Sequence, residues 1–262
     1  MNKPIRFILL TYLFSWCVWL PGVLSTYGVI GKIPWPPFFA IGASGPLVAA
    51  MWLIYRSEGW RGVRAWLKTG FTRRVLIHQW LLVVLIPLLV PAFVLVVYFL
   101  ADGCFADLSV IQQPWLAFPT ILLMVTIGGG QEEYGWRGYL LKHLQQQWGI
   151  WRADLMMILV HSLWHLPLFF IAYTTQSQYP FWLFLLFGVG FTLLANRTYN
   201  WTGNSIFATI VLHGMVNTGL ELFSVVGQSV NHINWPFLLV SAIYTMLALF
   251  IHPWNPMMQK GS

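Results

Sequence analysis

Eight apolar stretches follow one another along this chain, at 6–28, 36–55, 79–101, 115–141, 153–173, 181–197, 204–226 and 234–252. Each is close to the roughly 20 residues a helix needs to cross about 30 Å of hydrocarbon. Within hydrocarbon, a helix satisfies all its backbone groups internally, and the scattered Gly and Pro are tolerated because neighbouring helices re-satisfy what they break. With 58% hydrophobic and only 8% charged residues in 262, the chain falls far below the charged share of about 25% usual in soluble domains. The expected fold is all-α: a polytopic integral membrane protein of about eight transmembrane helices, forming a single transmembrane domain over 1–262.

Basic residues orient these helices. Lys3 and Arg6 precede the first stretch, and Arg56, Arg61, Arg64, Lys68, Arg73 and Arg74 follow the second. Lys142 and Arg152 follow the fourth, Arg197 the sixth and Lys260 the eighth. If eight helices alternate in direction, all of these share one side and only Lys32 is opposite, which is the positive-inside pattern. Both termini are then expected in the cytoplasm, and the absence of extra domains fits a bacterial inner membrane. The net charge of +7 is a topology signal, and nucleic acid is excluded as a partner because no basic stripe interleaves with stacking aromatics. Within about 56–78, basic residues alternate with Trp60, Val63, Trp66, Leu67 and Phe71. This pattern predicts an amphipathic helix in the cytoplasmic interface of the lipid bilayer, its arginines on anionic headgroups, although a solvated loop fits nearly as well.

Against this background the polar residues inside apolar stretches stand out. The chain has seven acidic residues, and Glu132 and Glu133 are adjacent within the stretch Trp115 to Leu141. An ionised carboxylate in hydrocarbon costs about 2–3 kcal/mol or more, so partners or chemistry must offset it. Glu133 and Arg137 are four apart and can pair along a helix, whereas Glu132 is turned about 100° away and keeps no such partner. Gly128, Gly129 and Gly130 precede the pair and permit close helix approach, a kink or a path for water. His161 and His165 share one face of the next stretch, and His213, Asn217 and Glu221 one face of the seventh. If the helices meet at one level, these groups converge on a wet pocket in the cytoplasmic half of the core, reached from the cytosol.

The blocks Glu132-Glu133-x-x-x-Arg137, His165 within His-Ser-Leu-Trp-His-Leu-Pro, and His213-x-x-x-Asn217 resemble, in order and spacing, those of the CPBP family of intramembrane proteases. This family, also called ABI, includes the CAAX prenyl endoproteases and bacteriocin-processing enzymes. The resemblance covers about 115–220. It implies hydrolysis of peptide bonds in membrane-associated peptide or protein substrates. By similarity, Glu132 would activate water, His165 would help hold it, His213 and Asn217 would stabilise the oxyanion, and Glu133 with Arg137 would orient the site. Many relatives carry an aromatic residue where this chain has His161. The resulting His-x-x-x-His pair can bind zinc when a third ligand approaches, with Glu132, Glu133 and His213 available, while the zincin glutamate between the histidines is absent. The sequence leaves metal open.

Two other classes use buried polar groups of this kind. In a proton-coupled transporter Glu132 would titrate as cargo moves, yet the chain lacks the symmetric halves and paired broken helices common in transporters. A non-catalytic immunity or scaffold protein would share the fold with a decayed site, yet every motif position is filled. Singly, each residue is more often helix-to-helix glue than chemistry; jointly they point to hydrolysis.

Overall fold

The computed structural model describes residues 2–71, 74–102, 115, 117–225 and 234–251, so Arg73, Cys104, Asp107 and Lys260 lie outside it. The described residues are all-helical, without strands. In chain order come α1 (Lys3–Thr26), α2 (Trp35–Ala43), α3 (Gly45–Thr69), α4 (Ile77–Asp102) and α5 (Ala117–Thr126). A broken helical segment, 130–141, leads into α6 (Lys142–Trp164), followed by short 3₁₀ turns, α7 (Phe181–Trp201), α8 (Ile206–Leu222) and α9 (Trp235–Phe250). Prolines sit in the first turn of α1, α2, α3 and α9, where the missing N–H would have lacked a partner anyway. Ser205 and Asn234 cap α8 and α9, their side chains accepting from the backbone N–H of Ala208 and Phe237.

All eight apolar stretches contain helix, but the count of membrane spans does not follow. Four helical stretches are long and apolar enough to cross a bilayer: Lys3–Thr26, Ile77–Ala101, Phe118–Phe170 and Phe181–Trp201. A fifth is gained if α2 and α3, bent by 43°, count as one, while α8 and α9 are shorter apolar helices. The third stretch doubles back at Gly149, whose φ of 74° breaks α6 internally. Gly59, with φ 63°, likewise separates the amphipathic 60–69 segment from the rest of α3. There Val63 is buried, Trp66 and Leu67 pack on the core, and Arg61, Arg64 and Lys68 are exposed.

The chain runs back and forth between two ends. At one, Asn2 bonds Gln147, Trp66 bonds the Gly138 carbonyl, and Gln79 bonds the Trp201 carbonyl. At the other, Thr26 meets Ala172, Tyr98 meets Trp235 and Tyr179 meets Phe237. The first end carries Lys3, Arg6, Arg61, Arg64, Lys68, Arg74, Lys142 and Arg152, all exposed; of the described basic residues only Lys32 belongs to the second. We call them the basic and the remote end. Exposed Leu9, Leu13, Leu81, Leu89 and Phe93 give α1 and α4 outer faces suited to lipid.

The interior divides into two apolar clusters. One gathers α1 to α3 with Trp136, Leu140 and Trp164; the other gathers α4 and α7 to α9. Glycines bring backbones together at the seam. A Cβ at Gly214 of α8 would strike the Val125 backbone of α5, and one at Gly135 would strike the Pro46 carbonyl of α3. Overpacking of this kind costs about 1–3 kcal/mol. Gly135→Ala is therefore expected to lower the melting temperature in detergent, whereas Gly31→Ala, with open space at its Cβ, is not; equal melting temperatures would contradict this packing.

Candidate active site

The expected fourth helix is not continuous. Its turn 127–129 unwinds because Gly129 adopts φ 126°, a conformation open to glycine and strained for other residues. A side chain there would also collide with His213 Nε2 and Asn217 Nδ2, at 2.5 and 2.9 Å from its Cβ. The chain restarts as a 3₁₀ turn at Gly130–Glu132 and passes through Glu133–Gly135 into a π-helix over Trp136–Leu141. The depth expected for Glu132 along an unbroken helix is thereby replaced: both carboxylates sit at the start of a new helical segment inside the bundle.

Glu133 is fully buried and held from two sides. Arg137 Nη1 donates to both its oxygens, at 2.7 and 2.9 Å, and His213 Nδ1 lies 2.8 Å from Oε1. The i, i+4 pair expected from spacing is formed; its tie to His213 was not anticipated. With Nδ1 engaged, Nε2 is the ring nitrogen of His213 left for the site. Arg137 is satisfied further by Asn196 Oδ1, which accepts from Nε at 3.1 Å, and by the Thr192 carbonyl at 3.4 Å from Nη2. Asn196 in turn donates to Asp154 Oδ1 at 2.9 Å, and Asp154 pairs with buried Arg197 at 2.7 Å. A buried chain of charges and amides thus runs from His213 through α7 to α6. Asp154, Asn196 and Arg197 had not been read as part of the site; the available signal was that Asp154 and Arg197 are opposite charges flanking apolar stretches.

Glu132 faces the other way. Its Oε2 accepts from Trp136 Nε1 at 3.2 Å and lies 4.0 Å from His161 Nε2. His165 is the residue on which α6 ends, a termination that fits Pro167 two positions on; its Nδ1 bonds the His161 carbonyl at 2.9 Å. The two rings meet at 4.8 Å between centroids, and His161 and His213 at 6.4 Å. Asn217 donates to the Gly128 carbonyl at 2.6 Å, tying α8 to the unwound turn. Glu132, His161, His165, His213 and Asn217 all line one cavity of about 470 Å³, whose walls include Phe184, Phe187 and Phe191. The cavity extends from Glu132 toward the remote end, away from the basic end.

The His161–His165 spacing leaves zinc open; among the described residues no three His, Cys, Asp or Glu side chains converge as metal ligands.

Removing one partner of a buried ion pair costs about 3–5 kcal/mol because it strands the other charge. Arg137→Ala is expected to lower thermal stability by that order, with Arg137→Met/Glu133→Gln recovering part of the loss. A fully stable Arg137→Ala protein would show that the pair carries no structural role.

Comparison with known proteins converges on this segment. The family described as "Type II CAAX prenyl endopeptidase Rce1-like" matches residues 114–219. A relative named "CAAX prenyl protease 2", from Methanococcus maripaludis, is 26% identical over 251 residues, covering 85% of this chain and 86% of that protein. Every residue of the three sequence blocks, from Glu132 to Asn217, falls inside the matched region, so the similarity to Rce1-like CAAX prenyl endopeptidases is centred on the candidate site.

Proposed function

We propose that this protein is an intramembrane endopeptidase that hydrolyses peptide bonds of membrane-associated substrates with water activated by Glu132. The observation that carries this reading is the convergence of the Glu132 carboxylate, three imidazoles and the Asn217 amide on a single cavity inside an apolar bundle. Glu132 keeps a carboxylate oxygen toward the cavity while Trp136 fixes its orientation. A water between Glu132 and His165 would lose a proton to the carboxylate as its oxygen adds to the scissile carbonyl carbon. The resulting oxyanion would meet Asn217 Nδ2 and His213 Nε2, which approach each other over Gly129, the ring donating from Nε2 as a doubly protonated imidazolium whose other N–H is held by the Glu133 carboxylate. When the C–N bond breaks, the proton held by Glu132 passes to the leaving amine, giving one new carboxylate and one new amino terminus.

The supporting groups have separate tasks. Glu133 holds the His213 ring and is itself neutralised by Arg137, so the oxyanion donors are fixed before substrate arrives, in the setting where preorganised donors are worth most. The zone around them is apolar, and the phenylalanine walls suit an extended hydrophobic segment. The exposed basic residues gathered at one end support a reading in which that end, with both termini, would face the cytoplasm.

Glu132→Gln keeps the Trp136 hydrogen bond but removes the base. It is expected to reduce cleavage of a membrane-embedded peptide at least about 100-fold with an unchanged melting temperature. Asn217→Ala is expected to lower kcat about 100–1,000-fold. Cleavage retained by Glu132→Gln would reject the base assignment.

A further inference from the structure

The cavity is one-sided. The described residues that line it lie level with Glu132 or between Glu132 and the remote end: Trp35 from α2, Thr175 and Gln176 from the turns after α6, Glu221 from the last turn of α8, and Phe237 from the start of α9. Its exposed lining residues are also on that side. Leu123 of α5 and Ile127 just after it are 48% and 49% exposed, and Tyr173 is 53% exposed. In the opposite direction Glu132 is backed by fully buried Trp136, Leu140 and Leu144, and beyond Glu133 by the paired charges of Arg137, Asp154 and Arg197. Desolvated, interlocked charges of this kind close the bundle toward the basic end.

The electrostatics of this cavity are equally one-sided. Among the described lining residues Glu132 and Glu221 are the only Asp, Glu, Lys or Arg, and both are acidic. Glu221 lies two turns beyond His213 on the same face of α8 and is exposed in the last helical turn, where the helix dipole disfavours a carboxylate. Of the described Lys and Arg residues only Lys32 lies at the remote end. A substrate held there by a free C-terminal carboxylate would find two like charges and no Lys or Arg among the described lining residues. A neutral or positively charged flank would meet a complementary one.

We propose that the active site is served from the membrane face remote from the basic end, and that it takes a membrane-inserted polypeptide segment cut internally, with a neutral or basic flank near Glu221. With the basic end cytoplasmic, this is the extracytoplasmic face. The side walls formed by Leu123 and Ile127 let an apolar segment slide in from lipid, while its polar flank stays at the rim beside Thr175, Gln176 and Glu221. The proposal rests on the proteolytic reading above and adds to it the side of access and the class of substrate.

Access and cleavage can be read separately. In a Cys17→Ala/Cys104→Ala background, single cysteines are introduced by Thr175→Cys at the rim, Ala40→Cys on the cavity wall, or Gln147→Cys at the basic end. Each protein is exposed to a membrane-impermeant maleimide in spheroplasts and in inverted vesicles. Cleavage is then followed with a self-quenched apolar peptide of about 20 residues bearing either a lysine or a glutamate flank. Thr175→Cys and Ala40→Cys are expected to label in spheroplasts with loss of cleavage, and Gln147→Cys only in inverted vesicles with cleavage retained. The lysine-flanked peptide is expected to be cut faster, and Glu221→Gln to narrow that difference. Labelling of Ala40→Cys from the cytoplasmic side alone, or preference for the glutamate flank, would overturn the proposal. The expected labelling without any Glu132-dependent cleavage would instead overturn the proteolytic reading and leave the side of access standing.

Discussion

The carboxylate of Glu133, with no solvent exposure, is the point on which the rest of the site depends. A lone ion at that position would be untenable, and its two cationic or proton-donating neighbours come from different parts of the chain: Arg137 from the same segment and His213 from α8. Satisfying Glu133 therefore fixes where α8 lies against the 130–141 segment. Arg137 extends the requirement to α7 through Asn196, and Asp154 carries it into α6. One desolvated charge thus specifies the mutual placement of elements that apolar packing alone would leave free to slide, because hydrocarbon offers helices little hydrophobic reason to prefer one register.

The adjacent carboxylate is free because Glu133 has taken the arginine. Glu132 and Glu133 are neighbours in sequence with opposite assignments, one locked into the bundle and one turned to the cavity. The unwound turn before them makes the arrangement feasible. Gly129 brings its backbone against His213 and Asn217, and its Gly128 neighbour offers Asn217 a carbonyl. A continuous helix at this depth would have exposed no backbone to pair with and would have kept α8 a side chain's width away.

Hydropathy made the helices legible, because a bilayer leaves few alternatives to them, and four-residue spacings made Glu133–Arg137 and His161–His165 legible as shared faces. The span count was less so: α8 and α9 are short, α2 and α3 meet at a bend, and hydropathy does not mark where a helix breaks. The unwinding at 127–129 was only half visible, as three glycines compatible with a kink or with close packing. The tie of His213 to Glu133 and the link of Asn196 to Asp154 join residues 80 and 42 positions apart, for which spacing along one helix gives no signal. The end toward which the cavity extends is set by where the buried ion pairs close the bundle, and charge counts along the sequence carry no signal for that.

The central claim is that Glu132 presents its carboxylate to a hydrated cavity shared with His165 and His213 while Glu133 is clamped behind it. A density map of the protein in a lipid nanodisc, at a resolution that shows side chains and ordered solvent, tests it most directly. Solvent density bridging Glu132 to the imidazoles, with Glu133 enclosed between Arg137 and His213, is the predicted result. Glu132 turned to lipid, or a dry, collapsed space between it and His165, would contradict the account.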